Sequence, residues 1–328
     1  MDTRDIQQSG TGAEDHGYPV EEKIEEGYEY REPGDVEEGL EGTKARHGVS
    51  EWRQVTRHLL RNRGAMVGVI IIGIFLIGAI FAPYLATHPP LETNLMARLQ
   101  PPGGEHLLGT DELGRDLYSR MLFGSRISLN IGLISVAIGV AIGIPVGAVS
   151  GFYGGKLDIL SQRLIDIMIA FPGILLAIIV VTVLGVGVQN VMIATGIASV
   201  PIYARLVRGS VLAAKEESYV EAARAAGLSD FTIIFRHILP NCLAPIIVQS
   251  TFQIATSILW AAGLGFLGLG AQAPNPEWGA ILSNGRAYIR TAHHLTTYPG
   301  LAILFMVLGF NLLGDGLRDA LDPKSRGD

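Results

Sequence analysis

Few groupings of residues in this 328-residue chain could do chemistry. Arg163 and Asp166 stand three apart beside a long apolar run, on one face if that run is helical. Ionisable groups inside lipid are costly and mark function, but a neutralised pair near an interface costs less. Two uses are therefore open for them: a structural ion pair, or part of a translocation path. The segment Gly151-Phe152-Tyr153-Gly154-Gly155-Lys156-Leu157 comes nearest to a phosphate-binding loop. It fails at both ends, because Ser150 takes the first glycine's place and Leu157 stands where a hydroxyl must reach magnesium. No catalytic residue is expected, and ATP hydrolysis is not expected of this chain. Neither a His-Glu-x-x-His helix nor a Gly-x-Ser-x-Gly elbow occurs. His293-His294 has no evident third ligand, so no metal or cofactor is expected, and one cysteine, Cys242, rules out a disulfide framework.

The most informative polar stretch, residues 215–241, holds Glu221, Ala222, Ala223, Gly227, Leu239 and Pro240. Ser218 and Glu221 have capping-box spacing, so a short helix is expected to start at Ser218 and to end at Gly227 in a left-handed turn. Ser229 can cap a second short helix, which Pro240 should break. Small alanines thin the first helix, while Phe231, Ile234 and Phe235 give the second apolar knobs. A bent pair of this kind suits the groove of another protein, or is simply an interfacial loop.

The elements that must carry this stretch are membrane helices. Charged residues make up 17% of the chain and apolar ones 48%, with a mean hydropathy of +0.35; soluble domains carry about 25% charge. A span needs roughly 20 apolar residues. Runs meeting that need lie near 66–85, 127–151, 160–184, 191–208, 243–269 and 299–317, giving an all-α polytopic protein of about six helices. Residues 1–45 hold 14 acids and 4 bases and are expected to be a disordered acidic tail. Residues 46–65 form a basic interfacial segment, residues 66–323 the membrane domain, and residues 324–328 a short C-terminal tail. With both termini in the cytoplasm, cytoplasmic segments hold 15 basic residues and external ones 6, as the positive-inside rule requires. Gly139, Gly143, Gly147 and Gly151 form a flat stripe suited to close helix packing. Pro145 and Pro172 are expected to kink their helices.

The order Glu221-Ala222-Ala223, three residues, Gly227, nine residues, then Leu239-Pro240 resembles the EAA loop of binding-protein-dependent ABC importer permeases. His237 departs from that pattern at a usually hydrophobic position. Leu108-Gly109-Thr110-Asp111-Glu112-Leu113-Gly114-Arg115-Asp116, Pro276-Glu277-Trp278-Gly279 and Asn311-Leu312-Leu313-Gly314-Asp315-Gly316 are similar to segments of the dipeptide/oligopeptide/nickel branch. The start, at Leu60-Arg61-Asn62-Arg63, resembles the shorter-loop partner of the two permeases in such systems. The resemblance implies a type I ABC importer permease fold and a pore-forming, non-enzymatic subunit in the cell membrane. It also implies a second homologous permease, two cytoplasmic ATPases that hold ATP and magnesium, and an external substrate-binding protein; nucleic acid is not an expected partner. Dipeptides and oligopeptides are the expected cargo, with nickel chelates or sugars as alternatives. A standalone carrier or channel is the rival from another class.

Overall fold

The structure, a computed structural model, describes residues 47–321. The acidic tail expected over residues 1–45 and the C-terminal tail at 324–328 lie outside the described residues. The chain divides into two units after Ser50, and the second, beginning at Glu51, holds the helical bundle.

Among the described residues the chain is helical, with one isolated β-bridge between Thr110 and Asp116. Helix α1, His47–Arg61, leads into α2, Arg63–Ile80. Asn62 caps α2 by accepting from the Ala65 amide, and the helix has no charge after Arg63. Its small residues, Ala65, Gly68 and Gly78, face inward. Val67, Ile70, Ile74 and Ile77 are exposed, as suits a lipid-facing surface.

Helix α3, Leu117–Tyr153, runs 37 residues. It starts ten residues before the span expected at 127–151. A charge-free run could not include this first part because Arg120 and Arg126 interrupt it, yet both make hydrogen bonds within the fold, although the buried Nε of Arg120 has no hydrogen-bond partner among the described residues. Arg120 donates to the Pro90 carbonyl at 3.2 Å, and Arg126 donates to the Ile80 carbonyl at 2.8 Å. The helix is unbroken through Pro145.

The expected third span is two helices, α4 (Gly155–Ile169) and α5 (Gly173–Leu184), bent by 92°. The kink anticipated at Pro172 is therefore a break: proline cannot donate to the preceding turn, and Pro172 stands instead as the cap of α5. Among the described residues, counting this pair as one span gives six candidate spans, and otherwise five.

Helix α6, Val188–Ala214, lies along α3 for most of its length. The glycine stripe makes this possible. A Cβ on Gly143 would stand 2.6 Å from the Tyr203 Cβ, and one on Gly151 would stand 2.9 Å from the Arg208 carbonyl. Close backbone approach is what small residues supply in lipid, where apolar burial drives little. After the short helix α7, Ser218–Ala225, come α8 (Leu243–Phe266), α9 (Trp278–Gly285) and α10 (His294–Leu321). Helix α10 packs on α2 and α8. Helix directions put 81–116, 185–187 and 267–293 at one end of the bundle and 215–242 at the other.

Candidate functional site

The segment from α7 to α8 is bent, compact and half exposed. Its first helix begins at Ser218 as expected, but the cap residue is Glu217, which makes no side-chain cap bond. The Ser218–Glu221 capping box does not form. Glu221 lies in the first turn instead, where an acid favours the positive end of the helix dipole.

The end of α7 is as expected. Gly227 has φ +76°, its amide donates to Arg224, and the Leu228 amide donates to Ala223. These two bonds close a Schellman turn, which needs a left-handed residue at this position. Space around Gly227 is open, so conformation alone requires glycine.

Ser229 accepts from the Thr232 amide and caps a short turn, Asp230–Thr232. Pro240 does not break the chain here. The backbone passes through a π-type turn, Ile233–Ile238, and a tighter turn, Leu239–Cys242, directly into α8. The wide turn absorbs the donor that proline lacks, with the Leu239 amide reaching back to Ile234.

Burial divides the expected residues into two groups. Val220 and Ala223 point inward and join a cluster that includes Phe152, Val211, Ile233 and Ile234. Leu239 packs at the edge of that cluster. The Arg224 guanidinium lies 5.3 Å from the Phe152 ring centre, and the Asn241 amide donates to the Tyr219 hydroxyl at 3.1 Å. These contacts hold the segment against the bundle. Glu221, Ala222, Gly227 and Pro240 face outward. Ile234, expected as a knob, is buried; Phe231 and Phe235 are exposed at 69% and 51%, with ring centres 4.4 Å apart. The result is a polar, small-residue ridge beside an aromatic pair, a shape that can seat in a groove but carries no reactive group.

The anticipated Arg163–Asp166 pair is replaced by another. Asp166 bonds Arg205 of α6 at 2.8 Å, with both side chains about half exposed. A second bridge, invisible in the sequence, joins Asp158 of α4 to Arg208 of α6 through two bonds of 2.6 Å. Ser150 of α3 also donates to Asp158. Residues 50 apart in sequence carry no spacing signal that could reveal such a link. Both acids clamp α4 to α6. They also explain why α6 runs past Arg205, beyond the span expected to end at 208.

The opposite end is a polar knot. Asp111 accepts from the Leu113 and Arg115 amides at 2.9 Å and from the Arg115 side chain at 2.6 Å. Asp116 caps α3 through Ser119 and meets His106 at 2.9 Å. Burial pushes the Asp116 carboxyl up, but hydrogen bonds from Ser119, His106 and Thr87 outweigh it and hold the group below the usual carboxylate range. Glu277 caps α9 by accepting from the Gly279 and Ala280 amides at 2.8 Å. Its burial dominates and raises its pKa to about 6 despite those two bonds. His294 is buried and reaches the Thr110 carbonyl at 3.1 Å, while His293 is exposed. Of these adjacent histidines only His293 faces solvent.

Known proteins share this architecture. Residues 143–327 match the family described as binding-protein-dependent transport system inner membrane component. Residues 50–102 match the N-terminal TM domain of oligopeptide transport permease C. The chain is 51% identical over 278 residues to the dipeptide transport system permease protein DppC of Alkalihalophilus pseudofirmus, covering 85% of this chain and 91% of that one. It is 49% identical over 277 residues to the glutathione transport system permease protein GsiD of Escherichia coli O1:K1, covering 84% and 91%. An inward-facing structure of the MetNI methionine ABC transporter superposes with a TM-score of 0.51 at 21% identity, over 62% of this chain and 97% of that one. That last likeness concerns the fold alone.

Proposed function

The chain belongs to the family of binding-protein-dependent transport system inner membrane components, and we propose that it is the pore-forming permease of an ATP-driven importer of short peptides. Relatives at about half identity are named for dipeptide and glutathione transport, which favours peptides over nickel chelates and sugars. The chain itself performs no bond chemistry. A second permease, two ATPases on the cytoplasmic side and an external binding protein complete the machine, and both termini of this chain face the cytoplasm. Arg163, Asp166 and Arg205 then lie near the cytoplasmic boundary, where Asp166–Arg205 has a structural role.

The observation that carries the reading is the exposed ridge Glu221–Ala222–Gly227 beside Phe231 and Phe235, anchored to the bundle by Val220, Ala223 and Leu239. A lever must be presented outward and be stiff at its root. In this reading, ATPase closure displaces the ridge, and rigid-body motion of α3, α6 and α8 switches the cavity between inward and outward access.

The test is ATP turnover stimulated by the loaded binding protein in the reconstituted complex. Gly227→Val places a β-branched residue at positive φ, an outlier conformation; Gly227→Asn tolerates it. Stimulated turnover should fall severalfold in Gly227→Val and stay near wild type in Gly227→Asn, at equal complex yield. Full stimulation in Gly227→Val overturns the coupling role.

A further inference from the structure

Two histidines and an aspartate from separate stretches of the polar knot converge on one point. Ligand atoms of His88, His106 and Asp116 all lie within 4.8 Å of one another. Asp116 Oδ1 is 2.9 Å from His106 Nδ1 and 3.7 Å from His88 Nδ1. The other carboxylate oxygen, Oδ2, is taken up by the Ser119 amide at 2.8 Å, the Ser119 hydroxyl at 2.7 Å and the Thr87 hydroxyl at 3.2 Å. Those bonds fix the carboxylate and turn Oδ1 toward the imidazoles. The Ser119 hydroxyl also accepts from the His88 amide at 3.1 Å, so one serine orients two of the three residues.

From this arrangement we infer that His88, His106 and Asp116 form a binding site for a divalent transition-metal ion of the zinc class. Imidazole and carboxylate ligands suit that class, and three protein ligands leave a fourth position for water. At Zn–N and Zn–O lengths near 2.0–2.1 Å, tetrahedral neighbours stand about 3.3 Å apart. The Asp116–His106 and Asp116–His88 separations fall on either side of that value, and the third pair lies within 4.8 Å, so binding would require the imidazoles to turn inward.

Hydrogen bonds to the aspartate supply the outer support that ligating groups need. An entry path exists, because the His88 side chain is one-third exposed while His106 and Asp116 are buried. His106 meets Asp116 directly and His88 lies 3.1 Å from the Thr87 hydroxyl, so the ligands are held near one another beforehand. A bound ion would clasp the strap after α2, at His88, to the residues that open α3. Spacing alone conceals the site, because 18 and 10 residues separate the three ligands and no compact motif results.

The experiment uses the full chain, purified without a histidine tag in detergent and stripped with chelator, then titrated with Co2+. Wild type should develop the visible d–d bands of a four-coordinate site at one ion per chain, and Zn2+ should remove them. His88→Ala, the mildest change because that ring is partly exposed, should weaken Co2+ binding about 10–100-fold. His106→Gln and Asp116→Asn should do the same, with Asn keeping an oxygen for the Ser119 amide. Zn2+ should raise the melting temperature of wild type and leave that of His88→Ala unchanged. If wild type shows no such bands, or if they persist in His88→Ala, the site does not exist.

Discussion

Glu277 shows how a single buried group sets a pH dependence. Its folded pKa of about 6 lies above the ordinary value of 4.5, so the folded state binds the proton more tightly than the unfolded chain. The stability from that proton is fully present below pH 4.5 and is lost as pH rises through about 6. A shift of this size corresponds to about 2 kcal/mol. Glu277→Gln retains one acceptor for the α9 amides and removes the titration. Melting temperatures of the pair, measured from about pH 4 to 8 to bracket both protonation states, should converge at the acid end. The variant should hold its stability where wild type declines; parallel curves would show that Glu277 does not titrate in this range. The exposed aromatics behave differently. Phe231→Ala with Phe235→Ala should leave stability within about 0.5 kcal/mol of wild type, as surface changes do. Co-purification of the ATPase subunits should nevertheless drop severalfold.

At the scale of elements, α3 and α6 are joined by absence of side chains as much as by their presence. Gly143→Leu drives a branched chain into the Tyr203 Cβ and the Val200 carbonyl, which lie 2.6 and 2.9 Å from where its Cβ must go. Overpacking of this kind costs about 1–3 kcal/mol or more. The variant should accumulate poorly and melt lower in detergent, whereas Gly209→Ala, which has open space, should not. The stripe is legible in the sequence because its period matches the helix. So are the Gly227 turn and the Ser229 cap, which are local rules with one residue each. The capping box is not formed because Ser218 sits one residue inside the helix, with Glu217 at the cap position. The ion pairs escape for another reason: Asp158–Arg208 and Asp166–Arg205 depend on which helices become neighbours. Periodicity reveals a face but never its partner. The knot of His88, His106 and Asp116 is hidden likewise, since loops bring it together.

The described residues from Glu51 onward form a bundle with charged locks at one end, a polar knot at the other and long rows of exposed aliphatics between them. Leu157, Leu160, Leu164 and Ile167 form one such row on α4. That surface fits lipid or a companion chain, and the proposed lever would need its motor from outside. Vesicles holding this chain alone should show no uphill uptake of labelled dipeptide. Uptake should begin when the companion permease, ATPases, binding protein and ATP are all supplied, and accumulation by the lone chain would refute the importer reading. The right-angle break before Pro172 has a consequence for the barrier itself. Helix α5, with 12 residues, is about 18 Å long, short of the roughly 30 Å of hydrocarbon. The last carbonyls of α4 and the first amides of α5 meet at this break, and acyl chains would offer them nothing. Trp260 shelters one side at Gly173. The other side has to be wet or covered by a neighbouring polypeptide, which makes the break a seam where oil cannot be the solvent.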